Sequence, residues 1–251
     1  MDLGNPTPYQ LLATAITRAI NDSDRIDEPS LPEITDLQGY EAQALSFAAL
    51  GQPRAGSKLA LKTEAVAAPL LWTNRGTEQA YLPGLAIEVE FALQLERDLP
   101  LGARVTRADI LDAIGSVSLG VELIRSRYKT GSSRVLGMAL ADFFANVGYV
   151  LGPTLSKSVL EPNAVTPLRL TAAGVTLAEG PARHADTDPL KVLVDAAARA
   201  TLPDARAILS AGQVLTTGSL CGIVTLPRPG AVTIELGGQV LTVNFRELGT
   251  A

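Results

Sequence analysis

The sequence predicts an α+β protein with helices gathered at the front and strands following them. Three observations carry this reading. Leu11, Leu12, Ala15, Ile16, Ala19 and Ile20 recur at three- and four-residue spacing, as on one face of an amphipathic helix. Residues 86–96 alternate: Ile87, Val89, Phe91, Leu93 and Leu95 fall on one side, with Glu88, Glu90, Ala92, Gln94 and Glu96 on the other, which is the period of a strand. Near the end, the alternating runs 232–236 and 239–245 flank Gly237-Gly238, a pair suited to a two-residue hairpin turn.

The remaining elements follow in order. The first helix starts at Thr7 and stops in the polar stretch 21–25, with Pro29 and Pro32 marking a connector. Asp22, Asp24, Asp27 and Glu28 read as a solvated loop, because no regular element there would converge their carboxylates. A second helix runs from an Asp36 N-cap through Tyr40, Ala44, Leu45, Ala48 and Ala49 to a stop at Gly51. Residues 56–62 alternate loosely as a strand, and the stretch from there to Gly84 is poorly patterned. A short helix over 109–114, a strand over 116–124 and a helix beginning near Asp188-Pro189 and passing through Ala196–Ala198 complete the reading.

Composition narrows the chemistry. A length of 251 residues suits one or two domains. Aromatic content of 4% within 47% hydrophobic residues makes the core mostly aliphatic. One Cys and one His exclude an internal disulfide, a CxxC site and a multi-histidine zinc site. Any metal must therefore be held mainly by oxygen, and a general base is sooner Glu, Asp or Lys than His184. A net charge of -5 argues against a nucleic-acid footprint. No apolar run reaches the roughly 18 residues of a membrane span, and the first six residues lack the basic and apolar regions of a secretory signal. A cytoplasmic, soluble protein is the expectation.

Glu88 and Glu90 stand two apart on a strand, so both carboxylates point to one side. Like charges that close repel unless a cation lies between them. Glu122 follows on the next good strand among apolar neighbours. Three carboxylates without His or Cys suit a hard cation such as Mg2+ or Mn2+. An ordinary half-exposed antiparallel strand would also read apolar-in and acidic-out, and spacing alone leaves both readings open.

Ordered motifs add a resemblance. The segment 87–100, with Glu88-Val89-Glu90 and Arg97-Asp98-Leu99-Pro100, resembles the ExE strand and RDLP turn of the 2-keto-4-pentenoate hydratase / 4-oxalocrotonate decarboxylase family, within the fumarylacetoacetate hydrolase superfamily. Gly56-Ser57-Lys58 resembles its G-x-K motif, and 120–127 the strand of its third acidic ligand. Ala141-Asp142 through Val150-Leu151-Gly152 resembles its AD…VLG block, Asp188-Pro189-Leu190 the start of its late helix, and 212–220 its GDIILTG strand. The resemblance spans about residues 36–247. It implies Glu88, Glu90 and Glu122 as metal ligands for Mg2+ or Mn2+, Lys58 as a catalytic lysine, and Leu61, Thr217, Gly218 and Ser219 as substrate-binding residues. The fold implied is a mixed β-roll or barrel-like metal-binding domain over 81–251, behind a smaller helical α+β region over 1–80. A homo-oligomer acting on a small 2-oxo acid is implied too.

The activity implied is hydration of a 2-hydroxy-2,4-dienoate, as in meta-cleavage degradation of aromatics. Decarboxylation of a 2-oxo-diacid, or a non-catalytic partner subunit or small-molecule binder with the same fold, are the alternatives. No His precedes Glu88 and the later ligand is Glu122, which sets the chain apart from the C–C hydrolase branch. The active-site Asp that the family carries between its lysine motif and the ExE strand has no counterpart in the short stretch 63–81, Phe143 and Phe144 follow Asp142 where the family has polar residues, and Gln213 replaces an Asp. Lys58 stabilises negative charge or relays a proton, or is a surface strand lysine. Arg125 and Arg127 sit near the carboxylate end of a pocket or in surface salt bridges, His184 is a surface loop residue, and Cys221 is a small core or pocket-wall residue.

Overall fold

A computed structural model describes residues 5–27, 31, 33–131, 135–199 and 202–247. Glu28, Pro29 and Pro32 of the expected connector lie outside the described residues. In chain order the elements begin with α1 (Pro8–Asn21), α2 (Asp36–Leu50), β1 (Gly56–Leu61), β2 (Ala65–Pro69), β3 (Thr73–Asn74), β4 (Glu78–Tyr81) and β5 (Ala86–Leu95). Next come α3 (Arg107–Ala113), β6 (Ile114–Ile124), α4 (Leu136–Ala141), β7 (Asn146–Leu155), β8 (Thr166–Ala172) and β9 (Val175–Ala182). The chain closes with α5 (Lys191–Arg199), α6 (Ala205–Ile208), β10 (Val214–Ser219), β11 (Val224–Thr225), β12 (Gly230–Leu236) and β13 (Gln239–Glu247). No described helix is long and apolar enough to cross a membrane.

Contacts divide the chain into two units: Met1–Pro53 with Arg125–Val147, and Arg54–Ile124 with Gly148–Ala251. The expected boundary near residue 80 differs from this division, because β1 and β2 pair with β10 and with each other inside the second unit.

The first unit is helical. Thr7 caps α1, its backbone N–H donating to the Gln10 side chain at 2.8 Å. The cap of α2 is Thr35, one residue before the expected Asp36; its Oγ1 accepts from the Gln38 N–H at 3.3 Å while Gln38 accepts the Thr35 N–H at 3.0 Å. Gly51 ends α2 at φ 64, as its position in the sequence predicts. The inner face of α2 is small, formed by Gly39, Ala42, Gln43 and Ser46, and leaves Leu37 and Leu45 exposed. A Cβ on Gly39 would lie 2.3 Å from the Gly137 carbonyl oxygen, so α2 and α4 approach backbone to backbone there. Asp22, Asp24 and Asp27 are exposed, in keeping with a solvated loop.

The second unit holds two sheets. The larger runs β2-β1-β10-β5-β6-β7-β3, with β11 pairing β5 as an eighth strand; the smaller runs β4-β13-β12-β8-β9. The hairpin β12–β13 forms as the sequence predicts, Gly237 and Gly238 having φ 57 and 81, the positive pair a type I′ turn requires. Strands β2, β3 and β4 occupy the stretch that lacked a pattern. All five residues of β2 are buried, which erases alternation, and β3 and β4 are too short to show one. Strand β5 is buried on both faces apart from Gln94 and part of Glu88, so the half-exposed reading of its acidic face is corrected. The face that carries Glu90 and Ala92 is covered, Ala92 packing with Leu70, Tyr149 and Val214.

Candidate metal centre

The site grows from strand register. Antiparallel pairing sets Glu88 opposite Glu122 and Glu90 opposite Gly120 across β5 and β6. On the other side of β5, Ala92 faces Thr216 of β10, which in turn pairs with Lys58 of β1. Opposed residues share a face, so one side of the sheet carries Lys58, Thr216, Glu88, Glu90 and Glu122. The three carboxylates each offer an oxygen within 4.8 Å of the others. Lys58 Nζ stands 2.8 Å from Glu122 Oε2 and 3.8 Å from Glu88 Oε2. With 12% of its side chain exposed, Lys58 is not a surface lysine.

Glu90 and Glu122 are almost fully buried, and Glu88 retains some exposure. Two unit charges at this spacing repel by roughly 3–4 kcal/mol at an effective dielectric of about 20. Burial, reinforced by Glu122, pushes the Glu90 carboxyl well above the usual carboxylate range, although Lys58 and a hydrogen bond from Thr216 pull the other way. Thr216 Oγ1 donates to Glu90 Oε2 at 2.5 Å. Burial also raises Glu88, against the pull of Lys58. For Lys58, burial works against the ammonium, but Glu122, Glu90 and Glu88 outweigh it and hold the pKa above its ordinary value. Fully ionised, three carboxylates beside one ammonium would leave two negative charges uncompensated, which adds to burial in driving Glu90 toward its protonated form without a cation. An all-oxygen donor set with that charge fits one hard divalent cation.

Thr217, Gly218 and Ser219 follow Thr216 through a β-bulge: Thr216 pairs with Ala92 and Ser219 with Glu90, three steps on β10 against two on β5. The extra residue re-aims the chain. Ser219 arrives beside Glu90 and its hydroxyl donates to the Gly222 carbonyl at 3.1 Å. Thr217 pairs instead with His184, Oγ1 to Nε2 being 3.2 Å. Leu61 is not brought to the cluster: strand alternation puts it on the face of β1 opposite Lys58. Glu64 and Glu78, the carboxylates of 63–81, are exposed, Glu78 pairing with Arg246 and Asn244.

His184 is buried, correcting its expected surface location. The Asp186 N–H donates to Nδ1 at 3.2 Å, which places the ring proton on Nε2, facing Thr217. Burial lowers the His184 pKa from 6.5, against Asp186 and Asp188. A lowered folded pKa means that the unfolded chain binds the extra proton, so His184 costs stability as pH falls through 6.5 toward the folded value and costs none above it. Chemical unfolding across pH 5–7.5 is expected to show this loss in the wild type and not in His184→Asn. Parallel slopes for the two proteins would refute it.

Arg127 is 1% exposed and pairs with Asp142 within the helical unit, which corrects the surface salt-bridge reading of it. Arg125 is likewise mostly buried rather than at the surface. Cys221 is part-buried and its thiol is pushed up by burial, which suits an unreactive wall residue.

Two residues of the site escaped sequence reasoning. Thr216 and Tyr149 lie within the motif-bearing segments, yet their side chains turn to the acidic face. The available signal was Gly120, an isolated glycine inside a strand, which marks a close approach. A Cβ there would sit 1.9 Å from the Tyr149 hydroxyl. Gly120→Ala is therefore expected to cost about 1–3 kcal/mol, read as a lower urea midpoint at constant m-value. An unchanged midpoint would show that the Tyr149 ring yields freely.

No protein-family model and no curated protein sequence matches the chain. Solved structures do. The 4-oxalocrotonate decarboxylase from Pseudomonas putida G7, complexed with magnesium and adipate, superposes at TM-score 0.71 with 18% identity, over 94% of this chain and 96% of that one. This is the fumarylacetoacetate hydrolase fold. It also appears in maleylpyruvate hydrolase from Sphingobium sp. SYK-6, in complex with manganese(II) and pyruvate (TM-score 0.52, 14% identity, 92% and 85% covered). A third example is 2-hydroxyhepta-2,4-diene-1,7-dioate isomerase from Mycobacterium marinum (TM-score 0.52, 15% identity, 78% and 77% covered). The fumarylacetoacetate hydrolase fold is the architecture that the ordered motifs imply.

Proposed function

We propose that the chain is a divalent-cation-dependent lyase acting on a small 2-oxo acid or its 2-hydroxydienoate tautomer. The observation that carries this reading is the convergence of Glu88, Glu90 and Glu122 within 4.8 Å on one buried sheet face, with Lys58 as their counter-charge. Mg2+ or Mn2+ is the cation proposed, consistent with the magnesium and manganese in the decarboxylase and hydrolase structures of the same fold. When bound, such a cation supplies a Lewis acid that favours enolate formation in a chelating 2-oxo acid.

The chain's own groups divide the remaining work. Glu90 and Glu122 provide buried ligands, and Glu88 provides one at the more open side. The three carboxylates hold Lys58 protonated before a cation binds, and its ammonium is placed to donate a hydrogen bond or proton to substrate oxygen. Thr217, Gly218 and Ser219, displaced by the bulge, form the substrate wall nearest Glu90.

Hydration of a 2-hydroxydienoate and decarboxylation of a 2-oxo-diacid both pass through such an enolate. The second draws support from a specific observation: no carboxylate of 63–81 reaches the cluster, and loss of CO2 needs charge stabilisation but no base to deliver water. One experiment addresses both. The protein is incubated with Mg2+ or Mn2+ and either 2-hydroxypenta-2,4-dienoate or a 2-oxo-diacid, while dienol absorbance and CO2 release are followed. Cation-dependent turnover of either substrate, abolished in Lys58→Met, is expected. Cation binding without turnover of either would favour a non-catalytic binder or partner subunit.

A further inference from the structure

His184 is buried and lies outside the acidic cluster, in the loop between β9 and α5. That loop is tied down at several points. The Thr187 N–H donates to the His184 carbonyl at 3.0 Å, closing a turn, and the Thr187 carbonyl accepts the Asn163 N–H at 2.8 Å. Further along, Arg107 Nε of α3 donates to Asp188 Oδ2 at 3.0 Å, and Asp188 Oδ1 accepts the Leu190 N–H just before α5. Within the turn, the Asp186 N–H donates to His184 Nδ1 at 3.2 Å. A ring that accepts at Nδ1 is neutral and carries its proton on Nε2. Thr217 Oγ1 stands 3.2 Å from that nitrogen, so the threonine oxygen accepts.

The same ring covers Gly218. A Cβ there would lie 3.1 Å from Nε2 and 3.2 Å from Cε1, at a φ of 145 that side chains rarely adopt. The imidazole therefore touches two successive residues of the β-bulge, where β10 leaves its register with β5. Pairing resumes just past them: Ser219 stands opposite Glu90, and the Leu220 N–H donates to the Val89 carbonyl at 2.8 Å. A bulge disrupts the ladder and leaves its extra residue unpaired. Here a buried side chain on an anchored turn holds the residues that the ladder does not.

We propose that His184 is a positioning residue for substrate: by bonding Thr217 and packing on Gly218 it fixes the bulge, and so sets the wall 217–219 beside Glu90, where a 2-oxo acid on the cation would meet it. The imidazole touches neither substrate nor cation in this scheme and acts through Thr217. The inference rests on the proposed function above. What the role requires is an N–H donor held at the reach of Nε2. Gln can supply one through its amide nitrogen, whereas Asn offers an oxygen to the Asp186 N–H but is too short to reach Thr217.

The test is calorimetric titration of Mn2+, and then of 2-oxoadipate into the Mn2+-loaded protein. It compares the wild type, His184→Asn, His184→Gln, Thr217→Val and the Asn/Val double variant, with circular dichroism checking the fold. Amide hydrogen exchange over 214–221 in the cation-free proteins reads the bulge directly. His184→Asn is expected to bind Mn2+ as the wild type does, to bind 2-oxoadipate about 3- to 10-fold more weakly, the usual net effect of one hydrogen bond, and to exchange faster over 214–221. His184→Gln is expected to restore both. In the Thr217→Val background the Asn substitution is expected to add nothing, because the contact is already lost. Wild-type affinity for 2-oxoadipate in His184→Asn would overturn the role, and so would unchanged exchange over 214–221. A His184→Gln no better than His184→Asn, or additive losses in the double variant, would overturn it as well. An equal loss of Mn2+ affinity in His184→Asn would assign the effect to the whole site and likewise overturn it. A wild type that fails to bind Mn2+ or 2-oxoadipate removes the proposed function and this role with it, whereas a wild type that binds both, beside unaffected variants, removes this role alone.

Discussion

Replacing Glu90 with Gln is expected to make the cation-free protein more stable at neutral pH while removing most of its affinity for Mn2+ or Mg2+. The two effects share one cause. Glu90 is a carboxylate buried with Glu122 and Glu88 nearby, and its pKa is raised by burial first and by those neighbours next. A folded pKa above the unfolded value of 4.5 means that the native state binds the extra proton. Stability from this group is therefore full below about pH 4.5 and is lost as pH rises toward the folded value. Gln is nearly isosteric and still accepts from Thr216 through its amide oxygen, but carries no charge to desolvate. Its advantage should vanish near pH 4.5 and grow toward neutrality.

The cation reverses the order. A ligand that binds only the native state stabilises it by about 2.7 kcal/mol at a hundred times its Kd. The wild type should gain this in thermal unfolding with Mn2+, and Glu90→Gln should not. Loss of a direct ligand should exceed the roughly 10- to 100-fold cost of losing an outer partner. Calorimetry and thermal unfolding with and without Mn2+, at pH 5 and pH 7.5, read all of these effects. A variant less stable than wild type without cation would mean that Glu90 is already satisfied by Lys58 and Thr216. Unchanged affinity would remove Glu90 from the metal site.

What the sequence could disclose depended on whether one-dimensional periodicity survives burial. Helix α1 and the β12–β13 hairpin were legible because each has one wet face, which writes the period into the residues. Strand β2 was not, because a strand dry on both faces has no polar residues to alternate with. The same physics hid the burial of Glu90: in sequence, a carboxylate on a sheet's inner face looks like one facing solvent. Ordered motifs, not alternation, brought Lys58, Glu88, Glu90 and Glu122 together, and the register of β1, β10, β5 and β6 places them on one face. Tyr149 and Thr216 depend on pairing between strands distant in sequence. Leu61 shows the converse, where nearness to Lys58 in the chain concealed an opposite orientation.

Arg127→Met is expected to destabilise the helical unit by about 3–5 kcal/mol, the usual cost of breaking a buried ion pair by removing one partner. Arg127 Nε donates to Asp142 Oδ1 at 2.5 Å, and its terminal nitrogens reach the carbonyl oxygens of Asp142 and Asn146. The Ser126 hydroxyl donates to Asp142 Oδ2 at 2.9 Å. Burial pushes the Asp142 carboxyl up, and Arg127 and Ser126 pull it down. Without Arg127 a buried carboxylate would have to stay charged and unpaired or take up a proton. The clamp also holds a backbone under strain: Phe143, Phe144 and Ala145 have φ of 52, 51 and 64. Left-handed conformations cost L-residues roughly 1–2 kcal/mol each, and the Arg127 contacts to Asp142 and Asn146 bracket this run. An Arg127→Met/Asp142→Leu double variant should therefore recover only part of the loss, since it removes the stranded charge but leaves those carbonyls without their donor. Trp72, the sole tryptophan, lies in the other unit, while the longer helices α1 and α2 lie in the unit of Arg127, so fluorescence and helical dichroism weight the two units differently. In urea, Arg127→Met should lose helical dichroism at lower concentration than it loses the native Trp72 signal, while the two coincide in the wild type. Coincident midpoints equal to those of the wild type would show that the pair contributes nothing to holding this unit together.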